Sequence, residues 1–189
     1  MDVSDLKGLF AEANKRMTGA AEHVRHELSG VRTGRASVTI LDGVQVEAYG
    51  TRMPLNQLAG LSVPEPSLIV AQPFDPSQLA AIEKAIRTAD LGLNPQSDGK
   101  TVRVPIPALT EERRKELSRH VHKLAEEGRN AIRQVRRDAN DRLKKLLKDH
   151  SISQDDEKKG LDEVQRLTDV HIKQVDELQT KKDQELLSR

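Results

Sequence analysis

The chain has 189 residues, 32% of them charged and 2% aromatic, and its 31 Lys and Arg against 30 Asp and Glu leave a formal net charge of +1. That length allows one or two domains, and such a composition points to long charged helices rather than an average globular core. The absence of cysteine excludes disulfides, thiol catalysis and cysteine-ligated metal sites, and Phe10, Tyr49 and Phe74 are too few aromatics for a base-stacking platform.

From Asp5 to about Val31 apolar residues recur at Leu6, Phe10, Ala13, Met17, Ala20, Val24, Leu28 and Val31. This alternating three- and four-residue spacing predicts a helix with one buried stripe. His23 and His26 share a face of it, but no third ligand is placed beside them, so they read as solvent-exposed side chains rather than a metal site. Gly34 is expected to end this helix with a positive φ, and Arg32 and Arg35 to offset the negative end of its dipole.

Beyond Ala36 the period changes to two: Val44, Val46 and Ala48 alternate with Gln45, Glu47 and Tyr49, and Leu68 to Ala71 and Val102 to Val104 read as further short strands. All eight prolines lie between Pro54 and Pro107. Asp75-Pro76 supplies a cap and a first-turn proline for a helix through Leu79, Ile82, Ala85 and Ile86, ending near Asp90-Leu91-Gly92. Asp98-Gly99-Lys100-Thr101 ends like a phosphate-binding loop, but the glycine such a loop requires earlier is Asn94, which removes the nucleotide-binding reading.

Helical pattern returns at Thr110, a cap followed by Glu111 and Glu112 at the positive end of the dipole. Its seam runs Leu117, Val121, Leu124, Ile132, Val135, Ala139, Leu143 and Leu146, a rod of about 58 Å at roughly 1.5 Å per residue. A helix so long needs partner surfaces. His150-Ser151-Ile152-Ser153 breaks it, and Ser153 with Asp156 is a capping-box variant that opens a last helix with an inner side of Leu161, Val164, Leu167, Val175, Leu178 and Leu186. Asp155, Asp156 and Glu157 are ordinary helix-start carboxylates, since nothing completes a calcium loop.

The fold class is therefore α+β: a long three-helix bundle from residues 1–31 and 107–189, with a small mixed α/β, β-rich domain inserted at 32–106. The two connections, 32–36 and 104–108, form a paired crossing in which Gly34, Ala36, Pro105 and Pro107 are the candidate hinge residues.

On the long helix Arg129, Arg133, Arg136, Arg137 and Asn140 are spaced i, i+4, i+7, i+8 and i+11, so they share one face. Residues 128–148 carry eight Lys or Arg against Asp138 and Asp141, a net of +6, whereas residues 151–189 carry seven basic and ten acidic residues, a net of −3. Such asymmetry orients a protein on an anion. Planar guanidinium forks grip two phosphate oxygens each, so the face suits a polyanion backbone. The only acids placed near the arginines are Asp138 and Asp141, off the stripe, where a merely solvated face would interleave signs.

Four blocks, in order and spacing, resemble the bacterial ribosome recycling factor family over essentially the whole chain. They are Arg32-Thr33-Gly34-Arg35-Ala36; Asp90-Leu91-Gly92-Leu93-Asn94-Pro95; Arg103-Val104-Pro105-Ile106-Pro107 followed by Leu109-Thr110-Glu111-Glu112-Arg113-Arg114; and Val135-Arg136-Arg137-Asp138-Ala139-Asn140. The resemblance implies a two-domain, L-shaped protein with a flexible neck. It implies binding to the large subunit of the post-termination 70S ribosome, and splitting of that ribosome into subunits together with elongation factor G and its GTP hydrolysis. It further implies contact with ribosomal RNA through Arg32, Arg114, Arg133 and Arg136, with Arg35, Arg129 and Arg137 beside them, while the second domain meets elongation factor G. No enzymatic activity, cofactor or metal is expected, and the protein is expected to be a cytoplasmic monomer that does not enter a membrane. The chain departs from the family at Ala48-Tyr49, where many members carry two adjacent aromatics.

Two other classes compete with this reading. A coiled-coil adaptor needs a second exposed apolar stripe, and each helix shows one seam. A general RNA chaperone would bind free RNA as tightly as ribosomes.

Overall fold

The computed structural model describes residues 5–187; the outermost ends of the expected bundle segments, 1–4 and 188–189, lie outside the described residues. The protein divides into two compact units. One takes the chain up to Arg32 and again from Glu112, and the other is Thr33–Glu111.

The first unit consists of α1 (Leu6–Ser29), α4 (Glu111–Lys148) and α5 (Gln154–Leu187). Asp5 caps α1 by accepting a 2.6 Å bond from the Gly8 amide, one of the amides a helix start leaves without an internal partner. The buried row of α1 is Leu9, Ala13, Met17, Ala21, Val24 and Leu28, not the row through Leu6, Phe10 and Ala20, which are half-buried. Apolar residues cover more of this helix than one row, and α1 packs most closely against α5. Close packing selects the row that carries small residues at 13 and 21.

The helix ends at Ser29, with Gly30 at its C-cap at a φ of −75°. Gly34 therefore does not close it. Gly34 lies four residues further on at a φ of +76°, with the Leu109 side chain so near that a Cβ would stand 2.7 Å from Leu109 Cγ. Arg32 and Arg35 likewise fall outside the last turn of α1, whose one basic residue is His26, so they do not act as dipole cations there.

Two glycines set the spacing of the rods. A Cβ on Gly128 would lie 2.1 Å from Val24 Cγ2, and one on Gly160 would lie 2.7 Å from Leu143 Cδ2. Each gap is thus filled by a neighbouring helix's side chain. Leu117 and Leu124, expected in the seam of α4, are only half-buried, while Ala125 and Gly128 are buried in their place. The turn out of α4 closes with Ser151 N–H on Leu146 O at 2.9 Å and His150 N–H on Leu147 O at 3.0 Å. With His150 at a φ of 55°, this is a Schellman closure. The Ser153 amide then donates to Asp156 Oδ2 and the Asp156 amide to Ser153 Oγ, both at 3.1 Å, the reciprocal pairing of a capping box.

Two buried polar side chains of this unit, Thr168 and His171, have partners. Thr168 Oγ1 donates to Val164 O at 2.8 Å, and His171 Nδ1 lies 2.7 Å from Leu167 O. A carbonyl can only accept, so Nδ1 carries a proton, and Nε2 lies 3.1 Å from Thr18 Oγ1, tying α1 to α5.

The second unit has its own core of Leu41, Val44, Val46, Leu55, Ile69, Ile82, Ile86, Val102 and Val104 with smaller neighbours. Burying each large aliphatic side chain contributes about 1.5–3 kcal/mol. Strands β1 (Gln45–Ala48) and β2 (Thr51–Pro54) form a hairpin, with Ala48 opposite Thr51. Its two-residue turn places Tyr49 at a φ of 52° and Gly50 at 74°, as a type I′ turn needs. Ala48 is buried on the core side, while Tyr49 is exposed and donates to Asp75 Oδ2 at 2.5 Å. The one-turn helix α2 (Leu55–Leu58) leads into β3 (Ala59–Glu65), β4 (Leu68–Pro73), β5 (Gln96–Ser97) and β6 (Val102–Pro105), an antiparallel sheet in the order β3-β4-β6-β5. Asp75 accepts from the Ser77 amide at 2.9 Å ahead of a 3-10 turn and α3 (Leu79–Thr88), which buries Ile82 and Ile86.

The unit's two ends are fastened to a single turn. Pro66 O accepts from the Ala36 amide and Ser67 O from the Ile106 amide, each at 2.7 Å.

Candidate nucleic-acid interface

The face predicted from Arg129, Arg133, Arg136, Arg137 and Asn140 exists on α4, but its members play different parts. Arg129 spends all three guanidinium nitrogens on the protein: Nε on Asp176 Oδ1 at 2.8 Å, Nη1 on Glu126 Oε2 at 3.0 Å and Nη2 on Gln179 Oε1 at 2.5 Å. Its side chain is 13% exposed. Burial disfavours its charge, yet the bonds to Asp176 and Glu126 outweigh that and raise its pKa. Arg129 is thus a tie between α4 and α5, enclosed more than Arg133, which follows it on the face.

Arg133 is more open, at 37% exposure. Its Nη1 donates to Glu126 Oε1 at 3.1 Å and to Asn130 Oδ1 at 3.2 Å, and its Nε–Nη2 edge remains available. Arg136 has one long bond to Gln165 Oε1, 3.4 Å, and Arg137 lies on Gln134 Oε1 at 3.2 and 2.6 Å. Those partners are neutral amides, which orient a guanidinium without cancelling its charge. Asn140 completes the row half-buried, its Oδ1 enclosed without a hydrogen-bond partner.

The acids are not arranged as the sequence suggested. Asp138 is turned away and bound by Arg16 at 2.8 Å and by Gln134, and these bonds lower its pKa. The acids that stand among the arginines are Glu126 and Asp176. Glu126 was legible: it precedes Arg129 by three residues and Arg133 by seven, which puts it on their face. Its pKa is lowered by the hydrogen bonds from Arg129 and then Arg133. Asp176 comes from another helix, and local spacing carries no signal for it.

Arg32 and Arg114 belong to the helical unit and Arg35 to the smaller one. Arg32 and Arg35 are exposed, Arg114 is half-buried, and none of the three forms an ion pair among the described residues. His23 and His26 are exposed on α1. Among the described residues no three His, Asp or Glu side chains are grouped to hold a metal, and no helix is long and apolar enough to cross a membrane. In the smaller unit an open depression of about 340 Å³ lies between the β1–β2 hairpin and α3, rimmed by Glu47, Arg52 and Lys84.

Three packed rods, α4 running antiparallel to both α1 and α5, with guanidinium groups along α4 and an α/β insertion, define an α+β protein that works by binding. Comparison with known proteins makes this specific. A family model described as ribosome recycling factor matches residues 24–187. The ribosome-recycling factor of Rhodospirillum centenum is 57% identical over 173 residues, 92% of this chain and 94% of that protein. That of Rubrobacter xylanophilus is 51% identical over 98% of both chains. A solution structure of a ribosome recycling factor superposes over 100% of each chain with a TM-score of 0.71 and 42% identity. A second solved structure, at 49% identity and a TM-score of 0.62 over 97% of this chain and 99% of that one, presents the T. thermophilus factor with E. coli elongation factor G bound to the E. coli post-termination complex. The chain belongs to the ribosome recycling factor family and is a non-enzymatic translation factor.

Proposed function

We propose that this protein binds the post-termination ribosome on its large subunit as a monomer in the cytoplasm, and that with elongation factor G and GTP hydrolysis it splits that ribosome into subunits. The observation that carries the anchoring part is the flank of α4 on which Arg133, Arg136 and Arg137 keep unused donors while neutral amides hold them in place. Oriented guanidinium groups one helical turn apart, those of Arg136 and Arg137 held by neutral amides alone among the described residues, match successive phosphates, and they supply affinity rather than base specificity. Arg32, Arg35 and Arg114, which form no ion pair among the described residues, extend the proposed RNA contacts; Arg129 supports them from behind. Elongation factor G would act on the smaller unit.

The backbone bonds of Ala36 to Pro66 and Ile106 to Ser67 fasten those residues inside the smaller unit, and Pro105 lies in β6. The bend required of a neck is therefore assigned to Arg32–Arg35, including Gly34, and to Pro107–Leu109, rather than to Ala36 and Pro105.

Light scattering of post-termination ribosomes mixed with the protein, elongation factor G and GTP tests the reading. The native chain should give a drop in scattering, and the Arg133→Ala, Arg136→Ala double variant none. A drop of equal rate with both would move the anchor elsewhere, and no drop with either would overturn the function.

A further inference from the structure

Glu126 lies between two arginines of the α4 face, with one carboxylate oxygen on each: Oε2 accepts from Arg129 and Oε1 from Arg133. Arg129 is in turn held by Asp176 and Gln179 across the α4–α5 seam, so the carboxylate is fixed from its buried side. Arg133 is thereby held by one edge only. Nη1 is occupied, whereas the Nε–Nη2 edge, the fork that grips two oxygens of a phosphate, is open. Among the described residues Arg136 and Arg137 have amide partners and no acid, so of Arg133, Arg136 and Arg137 it is Arg133 that has a fixed anion beside it there.

A phosphate reaching Arg133 from the open edge finds a guanidinium already oriented. One arriving from the Nη1 side meets the Glu126 charge and must displace it, exchanging one anion for another with little Coulombic gain. We propose that Glu126 is a specificity-determining residue of the arginine face: it orients Arg133 for a phosphate in one position and repels RNA backbone presented in any other. Discrimination of this kind is built from a repulsive element as much as from attraction. The inference rests on the arginine face being the ribosome anchor.

The test compares affinity for isolated large ribosomal subunits with affinity for free RNA of unrelated sequence, across a salt series, for wild type, E126Q, D176N and R133A. E126Q keeps the shape and an acceptor oxygen but removes the charge. It should bind free RNA about tenfold more tightly, with a salt dependence steeper by about one counterion, and large subunits no more tightly than wild type. D176N loosens Arg129 without touching Arg133, so it should lower the melting temperature and leave the ratio of the two affinities unchanged.

An E126Q ratio equal to that of wild type, or the same shift in D176N, would overturn the inference and leave Glu126 a strut of the seam. R133A separates the two levels. If it binds large subunits as wild type does, the arginine-face reading itself fails; if it binds them weakly while E126Q is unaltered, only the role of Glu126 fails.

Discussion

At Gly128 one missing methyl group decides how two rods approach. The Val24 side chain of α1 occupies the space a Cβ would need, leaving 2.1 Å where contact distance is nearly 4 Å. The lost helix propensity of a mid-helix glycine, up to about 1 kcal/mol, is offset by that packing. Alanine at 128 gains propensity and loses fit, and overpacking a well-filled core costs about 1–3 kcal/mol. Gly128→Ala should therefore lower the melting temperature by several degrees, and adding Val24→Ala should recover part of the loss, as a double-mutant cycle by thermal denaturation would show. A lone alanine that stabilises the protein would refute the fit. Sequence pattern marks Gly128 only as an interruption in the seam, because what fills its gap comes from a helix about a hundred residues away. Arg129 shows the same limit: its spacing groups it with Arg133, Arg136 and Arg137, while the Asp176 and Gln179 that tie it across the seam come from α5 and leave no mark in that spacing.

At the scale of elements, the long helices were legible because capping is local chemistry. The Ser153–Asp156 box and the Asp75-Pro76 start appear where the sequence places them, as do β1, β4 and β6, whose apolar residues alternate or cluster. Strands β2, β3 and β5 were not legible. Thr51–Pro54 and Gln96–Ser97 carry little apolar signal, and β3 exposes most of its residues despite its length; pairing to a neighbour, not its own pattern, makes each a strand. The connection from β5 to β6 shows what holds so short a pair. Asp98 Oδ1 accepts from the Thr101 amide at 2.7 Å and the Lys100 amide at 3.0 Å, and Oδ2 accepts from the Thr101 hydroxyl at 2.9 Å. These bonds, led by the Thr101 amide, hold the carboxyl down to about 2, against an ordinary value of 3.8. A folded pKa below the unfolded one means stability fully present above pH 3.8 and lost as pH falls through about 2. Asp98→Ala should thus be less stable than wild type at neutral pH, with the difference closing between pH 4 and 2. Denaturant titrations of both proteins across that range provide the check, and a gap constant with pH would show that the charged carboxylate is not what orders the turn.

For the molecule as a whole, the proposed mechanism requires the chain to bend between a unit that grips RNA and a unit that is pushed. The sequence offers candidate crossings at their glycine and prolines, but it does not show which side each residue is fastened to, since that depends on the Pro66-Ser67 turn about thirty or more residues away. Proline at Ala36, the direct way to stiffen the first crossing, would remove the amide that bonds Pro66 O and so confuse stiffness with loss of a bond. Ala108 is the cleaner position. Its backbone N–H makes no hydrogen bond among the described residues, and proline there confines both itself and Pro107 to extended polyproline geometry. Ala108→Pro should leave the melting temperature and large-subunit binding near wild type, because neither core nor arginine face is touched, while slowing subunit splitting in the scattering assay. If splitting kept its full rate, bending at this crossing would not be part of the work. If binding fell as well, the crossing would be setting the fit of the rod to the ribosome, and the units would act as one body in the bound state.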